Sequence, residues 1–469
     1  MRRLNETGPA GRLRQPQPVI RRRLPSGRGA TEQPNAAGDG DVPLTVRFWL
    51  ALVAVGVVTG LLGDVMMFVL INVEHLAFGC HSGSFQSAVE RAPAFRRIGV
   101  VVAGGAIGGI AWFVLNRITP GETSELDDVI WCGDGRLSFR RSLGTSLISE
   151  VVVGMGASLG REAAPKLMGG AAGSVLADWV RLTDGQRRLL VACGAGAGLA
   201  AVYNVPLGGA LFTAELLLGS ISLPVVLPAL ACSCVATATA WLYLPDHATY
   251  VDVPAYRFAT TLLVWAFVAG PLIGIASSGF IRLIGWVSHH RAKGRSVLVA
   301  PAAAFLVLGL IGFAYPQLFG NGQDLAHDVF LGAGGFALLA ALAVFKPFVT
   351  ALCLGSGSSG GVFTPMLSSG AVLGALLGMA WSLAWPGSPV GAYALVGAAA
   401  MIGASMQAPL AGLALVLELT HSSYGIMVPM IAATVTATLV ARHVDGYSIY
   451  SARLPAPRDD EHAPPATTV

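Results

Sequence analysis

From about Phe48 to Arg442 the chain alternates long apolar runs with short polar breaks. Several runs, residues 50–70, 261–281 and 297–314 among them, approach the ~20 residues that a helix needs to cross a bilayer core. Others are shorter: residues 189–201, 205–218 and 408–419 are interrupted by Gly or Pro, which predicts tilted or discontinuous membrane helices rather than simple rods. The pattern predicts an all-α, polytopic membrane protein. Composition agrees, since 54% of the 469 residues are hydrophobic and only 12% are charged, with a mean hydropathy of +0.65. A soluble chain carries about 25% charged residues.

Residues 1–47 are a different material, rich in Pro, Gly and Arg and without an apolar period; they are expected to be a disordered tail. Nine arginines stand against Glu6, Glu32, Asp39 and Asp41, a balance of +5 that exceeds the whole chain's +4. The basic character therefore belongs to the tail. Arg-rich flanks of a first membrane helix stay in the cytoplasm, so the N-terminus is expected inside. No short apolar stretch with a cleavage site follows, which argues against a signal peptide. Arg21, Arg22 and Arg23 admit a nucleic-acid reading, but a solvated or lipid-facing tail is preferred and no nucleic-acid partner is expected. Cys80, Cys132, Cys193, Cys232, Cys234 and Cys353 lack metal-ligand spacing and read as small buried thiols. No metal and no cofactor is expected.

Self-similarity is the most informative feature. Residues 194–216 (GAGAGLAAVYNVPLGGALFTAEL) lie over residues 397–419 (GAAAMIGASMQAPLAGLALVLEL) without a gap, with 9 of 23 positions identical. Pro206 meets Pro409 and Glu215 meets Glu418. Upstream, GREAAPKLMGG (residues 160–170) lies over GGVFTPMLSSG (residues 360–370), so Pro165 meets Pro365. Two membrane repeats are expected, residues 48–245 and 261–454, joined by a polar connector at 246–260 and followed by a short tail at 455–469. Transporters built this way hold their substrate between the halves. Hydropathy leaves open whether the repeats are inverted or parallel.

An ionisable group inside a membrane segment costs at least ~2.5–3.5 kcal/mol, so each needs a reason. Arg161, Glu162, Lys166, Glu215, Lys346 and Glu418 stand out. Glu162 lies where glycines open a helix whose free N–H groups attract anions. The Gly/Ser run at residues 355–365 offers the same device, with Pro365 in the first turn. Two facing helix starts would bind a small anion without holding it too tightly to leave. Two readings of Glu162 stand: a carboxylate that caps its own helix or pairs with Arg161, and a gate that competes with the anion for the same donors until a proton neutralises it. Glu215 and Glu418, late in matched helices, read as partners of backbone or Arg groups. Lys346, just before Pro347, reads as a snorkelling end residue.

These segments resemble the CLC family of chloride channels and proton-coupled chloride transporters over roughly residues 48–454. GREAAP is similar to the family's GREGP or GKEGP segment, which implies a gating glutamate at Glu162, with Gly160 and Arg161 at the anion. GGVFTP resembles the GxFxP segment, implying Val362 and Phe363 as backbone donors, and GYSIYSARL resembles the segment bearing the pore tyrosine, here Tyr450. NVPLGGALFTAE completes the set in family order. The resemblance implies an inverted-repeat CLC-type fold, chloride as the transported ion, and a homodimer in the lipid of the plasma membrane with one pore per subunit.

Departures shape the expectation further. PGETSE puts Gly121 where the family has a serine that contacts the central anion. Leu216 stands at the second of the family's tandem glutamates, the one associated with internal proton transfer, and Glu215 at the first. Ala163 and Ala164 replace a usual Gly-Pro. Lys166 adds a cation one turn from the gate, either tuning anion affinity or pairing with Glu162 or Glu125. With a short stretch after Leu454, the cytoplasmic nucleotide-binding pair of some members is not expected. Because a leucine cannot relay protons, a channel-like, glutamate-gated chloride pathway is expected, with a proton/chloride exchanger as the alternative. A fluoride-selective relative is disfavoured by the lack of a methionine at the serine-like position. A membrane enzyme is disfavoured by the lack of a His-x-Glu-x-x-His or paired-aspartate set; His289 and His290 read as solvated loop residues.

Overall fold

Thr45 stops the polar lead-in and starts the first helix, its hydroxyl accepting from Phe48 N–H. The computed structural model describes residues 43–79, 83–131, 133–421 and 424–454. The rest of the basic tail, the tail at 455–469, Cys80 and Cys132 lie outside the described residues.

The first half comprises α1 (Val46–Phe78), α2 (Phe85–Arg91), α3 (Ala94–Ile118), α4 (Leu126–Trp131), α5 (Phe139–Gly154), α6 (Ala163–Trp179), α7 (Asp184–Tyr203), α8 (Pro206–Leu211), which runs into a π-helical turn (Phe212–Leu217), and α9 (Leu223–Ala240). The second comprises α10 (Thr260–His289), α11 (Ala300–Ala314), α12 (Gln323–Phe330), α13 (Phe336–Gly355), α14 (Phe363–Ser382), α15 (Val390–Met406), α16 (Pro409–Thr420) and α17 (Met427–Val444). Among the described residues there is no strand, only one isolated bridge. Among the described residues, seven helices are long and apolar enough to cross a membrane. α10 shows the division of its surface: Trp265, Ala269 and Ile273 are buried while Phe267, Val268, Leu272 and Ile275 are exposed. So large an apolar surface left outside a core is stable when lipid or another protein surface covers it.

Run length was a fair guide to helix length, with exceptions. α1 has 33 residues, ~50 Å of helix, and needs a steep tilt to fit the bilayer. The run at 297–314 yields only the 15 residues of α11, because Pro301 in its first turn fixes the start. Cys234 is exposed, unlike Cys193, Cys232 and Cys353, since it lies on the outward face of α9.

The repeat is physical. α7 ends on Asn204 and α15 on Gln407, both left-handed (φ 55° and 56°), and each break is followed by a proline that opens the next helix, Pro206 or Pro409. Helix packing repeats too. A Cβ on Gly169 would lie 2.0 Å from the Gly194 carbonyl oxygen, and one on Gly370 would lie 2.8 Å from that of Gly397, so in both halves small residues let adjacent helices touch through their backbones. The connector packs down, with Tyr250 N–H donating to Leu419 O at 2.9 Å and the Tyr256 hydroxyl to Phe330 O at 2.6 Å.

Candidate functional site

Two helix starts meet at the centre. α6 begins at Ala163 and α14 at Phe363, and the segments leading into them are joined by two backbone hydrogen bonds between Gly160 and Gly361, 2.7 and 2.8 Å long. Their free N–H groups and helix dipoles therefore converge, which favours negative charge.

Glu162 is fully buried. It makes no side-chain cap on α6, and no ion pair joins it to Arg161 among the described residues. Instead its carboxylate crosses to the other half, accepting from Phe363 N–H at 2.8 Å, from the Thr364 hydroxyl at 3.2 Å and, more distantly, from the Tyr203 hydroxyl at 3.5 Å. Space is reserved for it: a Cβ on Gly361 would fall 1.8 Å from Glu162 Oε1. Val362, the residue before α14, is buried and its N–H has no acceptor among the described residues. Gly160, Glu162, Val362 and Phe363 are thus brought together.

Arg161 points elsewhere. Its guanidinium lies 4.9 Å from the centre of the Tyr203 ring and borders a cavity of about 290 Å³ shared with Glu74, Asn321, Gln323 and Asp324. Burial pushes the Asp324 carboxyl above its usual range, against the opposing pull of Gln86 N–H and Arg161. Tyr203 touches both Arg161 and Glu162.

Lys166, in the turn of α6 after Glu162, is buried and donates to the Tyr450 hydroxyl at 3.2 Å. It pairs with neither expected acid. Glu125 instead pairs with Arg291 at 3.0 Å; burial would raise its carboxyl, but Arg453, Arg291 and Arg141 outweigh that and hold it below the usual glutamate range. Gly121 is exposed in a turn at φ 76° and stays outside the cluster.

Glu215 also stands apart. It accepts from Leu410 and Ala411 N–H at 3.2 and 2.7 Å, while Glu418 accepts from Leu207 and Gly208 N–H at 3.0 and 2.5 Å. Each half's acid caps the other half's helix, a reciprocity that only a two-fold relation between the halves produces. Lys346 is not a snorkelling end residue. It is wholly buried and donates to the carbonyls of Leu318 and Gly320 at 3.3 and 2.9 Å, because α13 continues through Pro347. His289 and His290 end α10 rather than lying in a loop.

Sequence reasoning passed over Tyr203, Thr364 and Glu150. The first two are hydroxyls inside apolar runs beside recognised motifs, a usable signal. Glu150, on α5, is fully buried, and neither of its carboxylate oxygens has a partner among the described residues.

Broken helices, a two-fold repeat and helix starts converging on a buried carboxylate define an integral membrane protein with the fold of an anion transporter. Residues 104–442 match the voltage gated chloride channel family, and the chain belongs to that family, whose members transport chloride. It is 32% identical to the putative chloride channel protein ClcB-like of Ralstonia nicotianae, over 82% of this chain and 93% of that one. It is 28% identical to the H(+)/Cl(-) exchange transporter ClcA of Vibrio vulnificus, over 88% and 90%. Among solved structures it resembles a slow cyanobacterial Cl-/H+ antiporter (TM-score 0.75, 22% identity, 87% and 97% covered). It also resembles a CLC-type fluoride/proton antiporter (TM-score 0.70, 20% identity, 87% and 97% covered). The inverted-repeat CLC-type fold follows.

Proposed function

We propose that this chain moves chloride across the plasma membrane past a gate formed by Glu162, and that it exchanges chloride for protons. The carrying observation is the buried Glu162 carboxylate seated on the amide and hydroxyl donors at the start of α14. There it does what a chloride would do, so the two compete. Chloride takes the donors, among them Val362 and Phe363 N–H, when the carboxylate leaves, and a proton on the carboxylate removes its claim. Gly160 supports the approach of the two segments that lead into α6 and α14, and Arg161 draws anions toward the cavity it borders. Opening thus consumes a proton.

The names of the relatives weigh toward exchange over the channel-like mode expected from the sequence. One observation keeps the channel reading as the second: Leu216, at the position associated with internal proton transfer, is wholly buried and cannot carry a proton. A homodimer held in lipid with its N-terminus in the cytoplasm completes the proposal. The test is to reconstitute the purified chain in liposomes and follow both ions. Chloride leaving down its gradient should drive protons in. Chloride flux with no proton movement selects the channel reading, and absence of chloride flux refutes both.

A further inference from the structure

We propose that Lys166 is a charged ligand for the transported anion, forming with the Tyr450 hydroxyl a fixed-charge site one helical turn along α6 from Glu162. This rests on the reading that chloride passes Glu162. The observation is an excess of donors. A buried ammonium is tolerated only when something neutralises it, yet no carboxylate lies within 4.0 Å of Lys166 among the described residues. The nearby acids are committed or at a distance. Glu162 gives its oxygens to Phe363 and Thr364, Glu125 is taken by Arg291, and Glu162 and Asp127 act on Lys166 only through space, without contact.

The hydrogen bond that Lys166 does make goes to the neutral Tyr450 hydroxyl. An ammonium has three protons to donate and a phenol one. With Tyr450 accepting from Lys166, two ammonium protons and the phenol proton have no acceptor among the described residues. Donors that converge with nothing to receive them make an anion site. Its walls are aromatic: the ammonium lies 5.2 Å from the centre of the Phe212 ring and 5.0 Å from that of Tyr450.

Chloride binding to the purified full-length protein in detergent, measured by titration calorimetry at fixed pH, tests this. Lys166→Met should weaken binding about 10–100-fold, the worth of a charge-assisted bond. Lys166→Arg, which keeps the charge, should restore most of it. Wild-type affinity in Lys166→Met overturns the proposal. Should that variant fail to fold, bromide-soaked crystals of the unaltered protein decide: an anomalous peak within hydrogen-bonding reach of Lys166 Nζ supports the site, and bromide confined to the Val362 and Phe363 amides overturns it. Liposome flux separates the two readings. Unaltered protein that carries chloride while Lys166→Met binds it normally sinks only the lysine site, whereas unaltered protein without flux sinks the transport reading beneath it.

Discussion

Replacing Glu162 by glutamine removes a charge while keeping the side chain's shape, and the geometry sets the size of the effect. The carboxylate holds two good hydrogen bonds, 2.8 Å from Phe363 N–H and 3.2 Å from the Thr364 hydroxyl. Bonds to a charged group are worth ~1.5–3 kcal/mol and neutral ones ~0.5–1.5; glutamine keeps one oxygen for Phe363 N–H and sets an NH2 against Thr364, whose hydroxyl must turn to accept, so each bond weakens by about 1 kcal/mol and the pair by about 2. At ~1.4 kcal/mol per decade that favours the displaced side chain by ~30-fold. Solvent does not dilute the figure, because Glu162 is fully buried. The assay is chloride efflux from liposomes followed from neutral into acid pH. In the unaltered protein efflux should rise as the pH falls, since the neutral carboxyl loses its hold on the donors. In Glu162→Gln it should already be fast at neutral pH, flat with pH and uncoupled from proton movement. Acid activation that survived in both Glu162→Gln and Glu162→Ala, or a glutamine variant no faster than the parent at neutral pH, would refute the gate.

Other expectations follow from single contacts. Tyr203→Phe removes a hydroxyl bonded to Thr364 at 2.6 Å; it should loosen the gate and raise neutral-pH efflux ~3–10-fold while leaving acid activation in place. Glu418→Ala strips two N–H acceptors from the start of α8 and should cost about 2–3 kcal/mol in thermal or denaturant unfolding, with Glu215→Ala costing a similar amount at α16. Gly169→Ala forces a Cβ to 2.0 Å from the Gly194 carbonyl oxygen and should destabilise by ~2 kcal/mol or more, while Gly99→Ala, with nothing within 4 Å, should stay within ~0.5 kcal/mol of the parent. Glu125 has its carboxyl held below the usual range by Arg453, Arg291 and Arg141, against partial desolvation. Its contribution is therefore present above the unfolded glutamate pKa and fades as the pH falls through the lower folded value. Because the Arg291 pair is about half exposed, Glu125→Gln should cost no more than ~0.5–1 kcal/mol near neutrality. It should cost less in high salt and nothing in strong acid, read by stability against pH.

What could be read from the chain and what could not divides along a physical line. Apolar runs and their Gly/Pro breaks gave the helices, since bilayer thickness and backbone satisfaction constrain them locally. The pairing of Pro206 and Glu215 with Pro409 and Glu418 gave the repeat, and its cause is now plain: an acid nine residues past a helix-opening proline sits where it can cap the opposite half's helix. Contacts between distant elements were not legible. Lys166 meets Tyr450 across 284 positions, Lys346 turns inward to two carbonyls, and Tyr203 reaches Thr364, because nothing in local spacing says which side chains a tertiary fold will bring together.

The repeat also shows where to look for function. Two identical helix starts facing each other would present only donors, an attractive but ungated anion site. At an offset of 200 the chain breaks that symmetry, with Glu162 against Val362 and Lys166 against Met366. The first substitution lets one half's carboxylate occupy the other half's amides. The second adds a cation on one side only. Symmetry thus builds the donors, and charge differences between matched positions decide what sits on them. The strongest functional signal in such a sequence is therefore the place where two well-aligned repeats disagree in charge.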